Sequence, residues 1–272
     1  MKQILVIIVV LSILLFGFRT YKQKNLSEVD KMKINKISPT IITIYDNYQH
    51  NTELDTGWGF SCLIKTDNKN ILFDTGADSP TLLSNMKKLE IEPKDIDIIV
   101  LSHIHGDHTG GLFGLLQKNP NVTVYLPKSF PNDFKTKTTS YGANIIEVKD
   151  SIKISDGICS TGELGIWIKE QSLMINTKNG LIVITGCAHP GIVNIIKKSK
   201  EITNENIYLV LGGFHLFGTS YSEINSIIKN FRKLGVKKVA PCHCTGDIAI
   251  QLFEQEYKDD FIENGVGKII KI

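Results

Sequence analysis

Apolar residues follow two different patterns along this chain. Residues 4–18 form one apolar run, ILVIIVVLSILLFGF, without a polar face. From Pro39 onward, short runs rich in β-branched residues alternate with stretches whose apolar residues recur at helical spacing. The first pattern predicts a hydrophobic N-terminal segment, and the second predicts an α/β domain.

The second pattern predicts two series of strands. Each series begins with runs that suit hairpins and continues with strand–helix units, which indicates two mixed sheets packed face to face with helices outside. The fold class is therefore α/β, or α+β. The predicted helices are Pro80–Leu89 with Ser79 as N-cap, Ile192–Ser199, Ser222–Leu234 and Ile248–Glu256. The predicted strand runs are IITIYDN, FSCLIKT, NILFDTG, IDIIVLSH, NVTVYLP and NIIEV, followed by SLMINTK, GLIVITG, IYLVLGG, KKVAPCH and GKIIKI.

The N-terminal run is about as long as the apolar part of a signal peptide and slightly short for a membrane span. No small-residue cleavage site follows it. We therefore predict that residues 1–18 are an anchor or uncleaved signal, that 19–38 are a polar linker, and that 39–272 are the folded domain. The protein would be membrane-anchored through residues 4–18. The resemblance of this run to a signal peptide favours a folded domain outside the cytoplasm, whereas the basic residues that follow the run favour a domain inside. The side of the membrane therefore stays open, and the outside is slightly favoured.

Composition excludes some classes of partner. The 272 residues are 42% hydrophobic and 22% charged, and the net charge of +3 comes from scattered basic residues. We expect no nucleic-acid binding, since proteins of that class carry a basic stripe or patch. The five cysteines are an odd number without the spacing of a small disulfide-rich domain, so we expect reduced thiols.

Five of the predicted strands end in residues that can bind a metal ion. These residues are Asp74, His103, Cys187 with His189, His215, and His243. Neighbouring strand ends meet at one rim of a sheet, and α/β folds build their sites at such rims. The sequence therefore predicts a metal centre there.

The stretch LSHIHGDHTGG, residues 101–111, predicts a centre for two ions. In an extended segment, residues two apart point the same way, so His103 and His105 can bind one ion. The glycine that follows lets the chain turn, and Asp107 and His108 can then bind a second ion. A carboxylate with imidazoles suits Zn²⁺, Fe²⁺ or Mn²⁺. The TGG after the motif is expected to open a helix whose N-terminus favours an anionic ligand.

Two ions need more ligands than this loop supplies. His189 and His243 are the predicted further ligands, and His215 is an alternative one. Cys187 is either a thiolate bridge between the ions or a small buried apolar residue. Asp74 is expected to hydrogen-bond a ligand histidine.

These residues resemble the metallo-β-lactamase superfamily. FDTG, LSHIHGDHTGGL and the later strand-end histidines carry the resemblance, which extends from about residue 40 to the C-terminus. It implies a four-layer αββα sandwich with a two-metal site, Zn²⁺ being the first expectation. GFS, ILFDTGADS, TGCAHPGI, LGGFHL and PCHCTG are similar to one branch, named for dihydropterin-methyl ribofuranosylaminobenzene phosphate synthase. That enzyme joins a pterin-methyl diphosphate to an aryl ribosyl phosphate.

Three positions depart from the pattern of the superfamily. Glu163 stands where a third-motif histidine is expected, and His189 would replace that histidine from another strand. Cys187 stands where a bridging aspartate is expected, and Trp58-Gly59 stands where many relatives carry a histidine. These departures argue against β-lactamase activity. The residues expected to take part in catalysis are Asp107, His215 and Glu163.

Three functions are compatible with these patterns. The first is a hydrolase that uses a metal-activated water on a small anionic molecule, phosphorylated or ester-like. The second is the transferase implied by the branch, for which Trp58, Phe60, Trp167, Phe214 and Phe217 could stack on a pterin. The third is a non-catalytic metal-binding domain on a membrane anchor. The first leads because the strand-end ligands are complete and the chain has neither a G-x-S-x-G motif nor a P-loop.

Overall fold

The computed structural model describes residue 32 and residues 34–272. The predicted anchor of residues 1–18, its membrane attachment through residues 4–18 and most of the predicted linker lie outside the described residues. Within residues 34–272, no helix combines the length and the apolar character that crossing a membrane requires.

The strands of residues 34–272 form two mixed sheets. They are β1 (Thr40–Tyr45), β2 (Ser61–Lys65), β3 (Asn70–Phe73), β4 (Ile98–Val100), β5 (Thr123–Pro127), β6 (Asn144–Val148), β7 (Ile152–Ser155), β8 (Ile158–Ser160), β9 (Leu173–Thr177), β10 (Gly180–Thr185), β11 (Ile207–Gly213), β12 (Lys238–Cys242) and β13 (Ile269–Lys271). The first sheet has the order β13-β1-β2-β3-β4-β5-β6, and the second has the order β12-β11-β10-β9-β8-β7. Strands β3 to β6 pair in parallel, as do β10 to β12, and the other neighbours are antiparallel.

Helices connect the strands and cover the sheets. They are α1 (Ser79–Lys88), α2 (Gly106–Thr109), α3 (Leu112–Lys118), α4 (Asn132–Ser140), α5 (Ile192–Thr203), α6 (Tyr221–Lys233) and α7 (Asp247–Tyr257). Short 3₁₀ turns occur at Pro93–Asp95, His243–Thr245 and Lys258–Asp260.

Strand β3 shows why its sequence reads as a continuous apolar run. Ile71 and Phe73 pack into the core between the sheets, together with Ile182 of β10 and other second-sheet residues. Leu72 points the opposite way and packs against Leu82 of α1. Successive strand residues face opposite sides, so a strand covered by a sheet on one side and helices on the other must be apolar throughout. The predicted four-layer sandwich of two mixed sheets with helices outside is confirmed.

The predicted N-cap of α1 is wrong by one residue. Asp78, not Ser79, has extended backbone angles, and its carboxylate accepts a hydrogen bond from the Thr81 N–H at 2.8 Å. Ser79 already belongs to the first turn, where its hydroxyl donates to the Gly111 carbonyl. A carboxylate caps a helix as well as a hydroxyl does, and this one also interacts with the positive end of the helix dipole.

Four elements were not predicted from the apolar pattern. The hairpin of β7 and β8 lies in SIKISDGICS, where an Asp156-Gly157 turn joins two short strands, and Gly157 has φ = 74°. The dipeptide Asp-Gly between alternating apolar residues is a hairpin signal, and here it marked a real turn. Helices α2 and α4 were also missed, because α2 is a single turn of four residues and α4 is mostly polar. Helix α3 begins directly after TGG, where a helix was predicted.

Candidate metal centre

The strand ends that carry candidate ligands converge on one side of the domain. Strands β3 and β4 end side by side in the first sheet, and β10, β11 and β12 do so in the second. The two rims meet at side-chain contact, since His108 Nε2, which follows β4, lies 3.1 Å from the Cys187 Sγ that follows β10. The predicted rim is therefore formed by both sheets.

Three imidazoles form the first donor group, and their nitrogens lie within 4.8 Å of one another. His103 Nε2 and His105 Nδ1 are 3.1 Å apart, and the centroid of the His189 ring lies 4.8 Å from both other rings. Burial, reinforced by the neighbouring imidazoles, lowers the pKa of His103 well below its ordinary value and that of His189 to about 4. Both are therefore neutral at physiological pH, which is the form that binds metal ions.

The second donor group consists of Asp107, His108, His243 and Cys187. Helix α2 begins directly after His105 and turns Asp107 and His108 towards the second rim. Asp107 Oδ2 lies 3.5 Å from His108 Nε2 and 3.3 Å from His243 Nε2. Partial burial opposes the charge on Asp107, but the hydrogen bond with His243 and the proximity of His108 lower its pKa to about 2. This carboxylate is thus ionised and available as a ligand.

One carboxylate orients a histidine in each donor group. Asp74 Oδ2 accepts a hydrogen bond from His108 Nδ1 at 2.7 Å and another from the Ser102 hydroxyl at 2.7 Å. The Ser102 oxygen lies 2.9 Å from His103 Nδ1 and can accept its proton. Burial alone would lower the pKa of His108, but Asp74 outweighs it and raises that pKa to about 9. Because these hydrogen bonds engage Nδ1 of each ring, both histidines present Nε2 to the centre. A bound ion would take the place of the Nε2 proton of His108.

His243 is held by residues that follow β1. Asn47 Oδ1 lies 3.0 Å from His243 Nδ1, and Asp46 Oδ1 accepts the backbone N–H of His243 at 3.4 Å. Sequence patterns did not single out Asp46 or Asn47, although both stand at a strand end in IYDN. An amide beside a strand is common, and only the fold brings it to a histidine nearly two hundred residues later in the chain.

The donors fit a pair of divalent metal ions. His189 Nε2 is buried and has no hydrogen-bond partner among the described residues, which is costly unless an ion binds it. Ser102, Asp74 and Asn47 occupy the outer nitrogens of three further histidines, as partners of ligand imidazoles usually do. The combination of imidazoles with a carboxylate and a thiol suits borderline divalent ions.

The structure also brings a third donor group together, formed by Cys187, His215 and Cys244. Cys187 and Cys244 are buried, and Cys244 Sγ lies 3.6 Å from the Cys187 carbonyl oxygen. His215 is exposed, and its ring centroid lies 4.4 Å from that of His189. Its expected catalytic role stays a prediction.

Glu163 is not brought to the centre. Its Oε1 accepts a hydrogen bond from the Ser129 N–H at 2.6 Å, and no donor group in the described part of the chain includes it. The carboxylate that does lie behind the centre is Glu170, which is fully buried. Its two oxygens accept the backbone N–H groups of Cys187, Ala188 and His189 at 2.8–3.0 Å. Burial raises the pKa of Glu170 to about 7.

Backbone strain is concentrated around the centre. Asp74, Ala188, His215 and His243 all have positive φ angles, between 50° and 66°. Non-glycine residues rarely adopt this conformation, which costs of order 1 kcal/mol each. The fold holds four such residues within the segments that carry the donors.

An apolar pocket of about 390 Å³ opens beside the first donor group. Ile166, Trp167, Ile168 and Pro190 line it together with His189 and His215. Trp167 is 94% exposed, and Trp58 stands over His243 with ring centroids 5.1 Å apart. Of the five aromatic residues considered for stacking, Phe60 and Phe214 are buried in the core, so Trp58, Trp167 and Phe217 remain available to a ligand.

Residues 56–196 match the family model described as the metallo-beta-lactamase superfamily. A curated relative from Methanocaldococcus jannaschii, 7,8-dihydropterin-6-methyl-4-(beta-D-ribofuranosyl)-aminobenzene-5'-phosphate synthase, is 35% identical and covers 91% of this chain and 99% of its own length.

Two solved structures extend this comparison. Tm1679, described as a metal-dependent hydrolase of the beta-lactamase superfamily, is 30% identical with a TM-score of 0.73, covering 86% of this chain and 99% of its own. The metallo-beta-lactamase fold protein YhfI from Bacillus subtilis is 12% identical with a TM-score of 0.63, covering 87% of this chain and 100% of its own. The second likeness concerns the fold alone.

Proposed function

This chain belongs to the metallo-β-lactamase superfamily, and we propose on that basis that it is a metal-dependent hydrolase of small anionic molecules. The observation that carries the proposal is the pairing of two donor groups, His103/His105/His189 and Asp107/His108/His243. We propose that each group holds one divalent ion, with Zn²⁺ as the first choice and Fe²⁺ or Mn²⁺ as alternatives.

Two such ions would supply Lewis acidity and an activated water molecule to the bond that is cleaved. The protein residues would determine the position of the ions and of the activated water. Asp74 and Ser102 fix the ring orientations of His108 and His103, so that each ring directs Nε2 towards its own donor group. Asp107 contributes a carboxylate whose pKa, lowered to about 2, keeps it ionised at neutral pH.

The pocket beside the centre determines what can bind. A phosphate or ester group would lie at the donor groups, where the bound ions would attract it. The rest of the substrate would extend over the apolar wall formed by Ile166, Trp167 and Pro190. We therefore propose a substrate with an anionic or ester-like end and an apolar or aromatic portion.

The test uses the full chain loaded separately with Zn²⁺, Mn²⁺ and Fe²⁺ and assayed against phosphoesters and lactones. We expect His108→Ala to lower kcat/KM by more than about 100-fold, the upper end of the effect of losing an outer partner. His50→Ala is the matched control, because His50 is an exposed histidine outside all three donor groups. A chain that binds no transition metal at stoichiometric amounts would contradict the proposal.

A transferase is the second candidate, favoured by the relative from Methanocaldococcus jannaschii that covers 91% of this chain. It would join a dihydropterin-methyl diphosphate to an aryl ribosyl phosphate, with Trp58 and Trp167 as surfaces for the rings. Diphosphate release is the deciding measurement. Release that requires the aryl acceptor supports the transferase, and release without the acceptor supports the hydrolase.

A further inference from the structure

The third donor group has the composition of a cation site in its own right. Two cysteine sulfurs and one imidazole nitrogen, from Cys187, Cys244 and His215, lie within 4.8 Å of one another. Ligands around a tetrahedral Zn²⁺ with bonds of about 2.0–2.3 Å lie about 3.5–3.8 Å apart. Small side-chain rotations therefore bring all three atoms to ligand distance.

The backbone leaves room for two cysteines side by side. A Cβ atom added to Gly213 would lie 2.7 Å from Cys244 Sγ and 3.3 Å from Cys187 Cα. No side chain other than hydrogen fits between these cysteines without displacing one of them. The glycine at the end of β11 is thus a condition for the close approach of the two thiols.

The two thiols can supply the charge that a further divalent ion needs. The first two donor groups contain five imidazoles and one carboxylate as oxygen and nitrogen ligands, so their single negative charge already serves two divalent ions. Cys187 and Cys244, bound as thiolates, would carry two negative charges. One further divalent ion bound by them would therefore add no net charge to the buried site.

His215 gives the third donor group access to solvent. The two sulfurs are buried, whereas the imidazole is exposed and lines the pocket beside Trp167. The positive φ of His215, 55°, turns the chain sharply after β11. An ion bound by two buried sulfurs and this ring would keep its fourth position open towards the pocket.

We propose that Cys187, His215 and Cys244 form a further binding site for one thiophilic divalent cation, Zn²⁺ or Cd²⁺, which shares the Cys187 thiolate with the second donor group. Soft sulfur ligands select such ions over Mn²⁺ or Mg²⁺. The cation stands beside the pocket wall, where its open position can take an anionic atom of a bound molecule.

Cadmium binding tests this site without any assay of activity. The reduced, chelator-treated full chain is titrated with Cd²⁺ while bound equivalents and the ultraviolet absorbance of thiolate–cadmium bonds are recorded. We expect one equivalent for each donor group, with absorbance contributed by Cys187 and Cys244. Cys244→Ser should lose one equivalent and the Cys244 share of the absorbance.

Three further variants distinguish cadmium binding at this site from cadmium binding elsewhere in the chain. His215→Gln changes an exposed side chain and should also lose the third equivalent, which keeps the test valid if Cys244→Ser folds poorly. His103→Ala should lose an equivalent but keep the thiolate absorbance, because the first donor group contains no sulfur. Cys159→Ser removes a buried cysteine of β8 that belongs to no donor group in the described chain, and should change neither quantity.

One outcome of the cadmium titration would contradict the proposed third site. Equal bound equivalents and equal absorbance in the wild type, Cys244→Ser and His215→Gln would show that Cys187 serves the second donor group alone. That result would leave the proposed hydrolase intact, since the ions of the first two groups do not depend on Cys244. Failure of the metal-dependent hydrolase would instead show as bound equivalents that stay unchanged in His103→Ala and His108→Ala.

Discussion

Asp74 connects the two halves of the metal centre through a single buried carboxylate. It accepts hydrogen bonds from His108 directly and reaches His103 through the Ser102 hydroxyl. Its backbone also lies in the left-handed region, with φ = 57°. The residue therefore influences a ligand of each ion without being close enough to the centre to bind either one.

Replacing Asp74 should weaken the binding of both ions. Asn tolerates left-handed backbone angles, so Asp74→Asn preserves the turn while removing the carboxylate charge. We expect the affinity of each ion to fall about 10–100-fold, the usual effect of losing an outer partner, measured by titration of the chelated chain with Zn²⁺. Ser102→Ala should weaken only the ion of the first donor group. Wild-type affinity for both ions in Asp74→Asn would contradict this role.

The sequence indicated the candidate donors better than the residues that support them. His103, His105, His108, His189 and His243 were predicted as ligands because metal ligands follow a spacing along the chain and stand at strand ends, and the structure brings all five into donor groups. Glu170 and Asn47 were missed because each acts on a segment distant in the chain, and a glutamate in KEQS has no distinguishing pattern. Outer partners are defined by proximity in space, which a single sequence does not display.

At the scale of elements, helix α1 depends on an interaction at its first turn. The Asp78 carboxylate accepts hydrogen bonds from Thr81 N–H and from the Tyr45 hydroxyl, at 2.8 and 2.7 Å. Burial opposes the charged form, but these hydrogen bonds outweigh it and lower the pKa of Asp78. The contribution to stability is therefore present above the ordinary aspartate pKa of about 3.9 and is lost as the pH falls through the lower, folded-state value.

Asp78→Ala should lower the free energy of unfolding by about 1 kcal/mol at neutral pH, as expected for loss of an N-cap. Denaturant unfolding of variant and wild type at a series of pH values measures the difference. The difference should shrink in acid, and Asp78→Ser should retain most of the stability because serine also caps helices. A difference that is the same at acidic and neutral pH would rule out the carboxylate as its source.

The loop between β8 and β9 carries the most exposed aromatic residue near the centre. Leu164 and Glu170 exchange backbone hydrogen bonds at the base of the loop, and Trp167 lies near its tip, 94% exposed. An exposed tryptophan beside a pocket gains favourable burial only when something binds there.

Trp167→Ala should raise KM with little change in kcat, because the ring contacts the substrate equally before and during the reaction. Steady-state kinetics on a substrate identified in the phosphoester and lactone assay provides the measurement. Tyr221→Ala, at an exposed aromatic residue that does not line the pocket, serves as the control. A fall in kcat at unchanged KM would assign Trp167 to the chemical step instead.

Strands were the most predictable elements. Strands β6 and β11 match their predicted bounds, although β6 lies at the edge of its sheet and is only partly buried, and every predicted strand run overlaps an observed strand. The β7–β8 hairpin was missed because its strands are short and one is partly exposed, so its apolar alternation is weak. Helix bounds differ from the predicted ones by at most four residues, since caps such as Asp78 depend on local hydrogen bonds more than on apolar spacing.

Considered as a whole, the domain is two sheets whose rims share the proposed ions. His103, His105, Asp107 and His108 follow a strand of the first sheet, and His189 and His243 follow strands of the second. Each of the first two donor groups takes its members from both sheets. A bound ion therefore links the two layers, and it stabilises the folded state to the extent that the unfolded chain binds it less well.

Removal of metal should lower the stability of the entire domain. At a free ion concentration of 100 times Kd, linkage predicts about 2.7 kcal/mol of stabilisation for each ion. Thermal unfolding of the chelated chain, repeated after addition of Zn²⁺, measures this effect. His189→Ala should show a smaller response than His50→Ala. Identical unfolding temperatures with and without chelator would mean that no ion links the sheets.

The left-handed residues around the centre have a consequence for the evolution of this chain. Ala188 has φ = 66° between Cys187 and His189, where glycine would be free of strain. Selection for heat resistance alone should therefore favour Ala188→Gly and similar relaxing changes at this rim. Such changes would also make the turn that holds His189 more flexible. A substitution that raises the stability of the fold at this turn would therefore weaken the positioning of a candidate metal ligand.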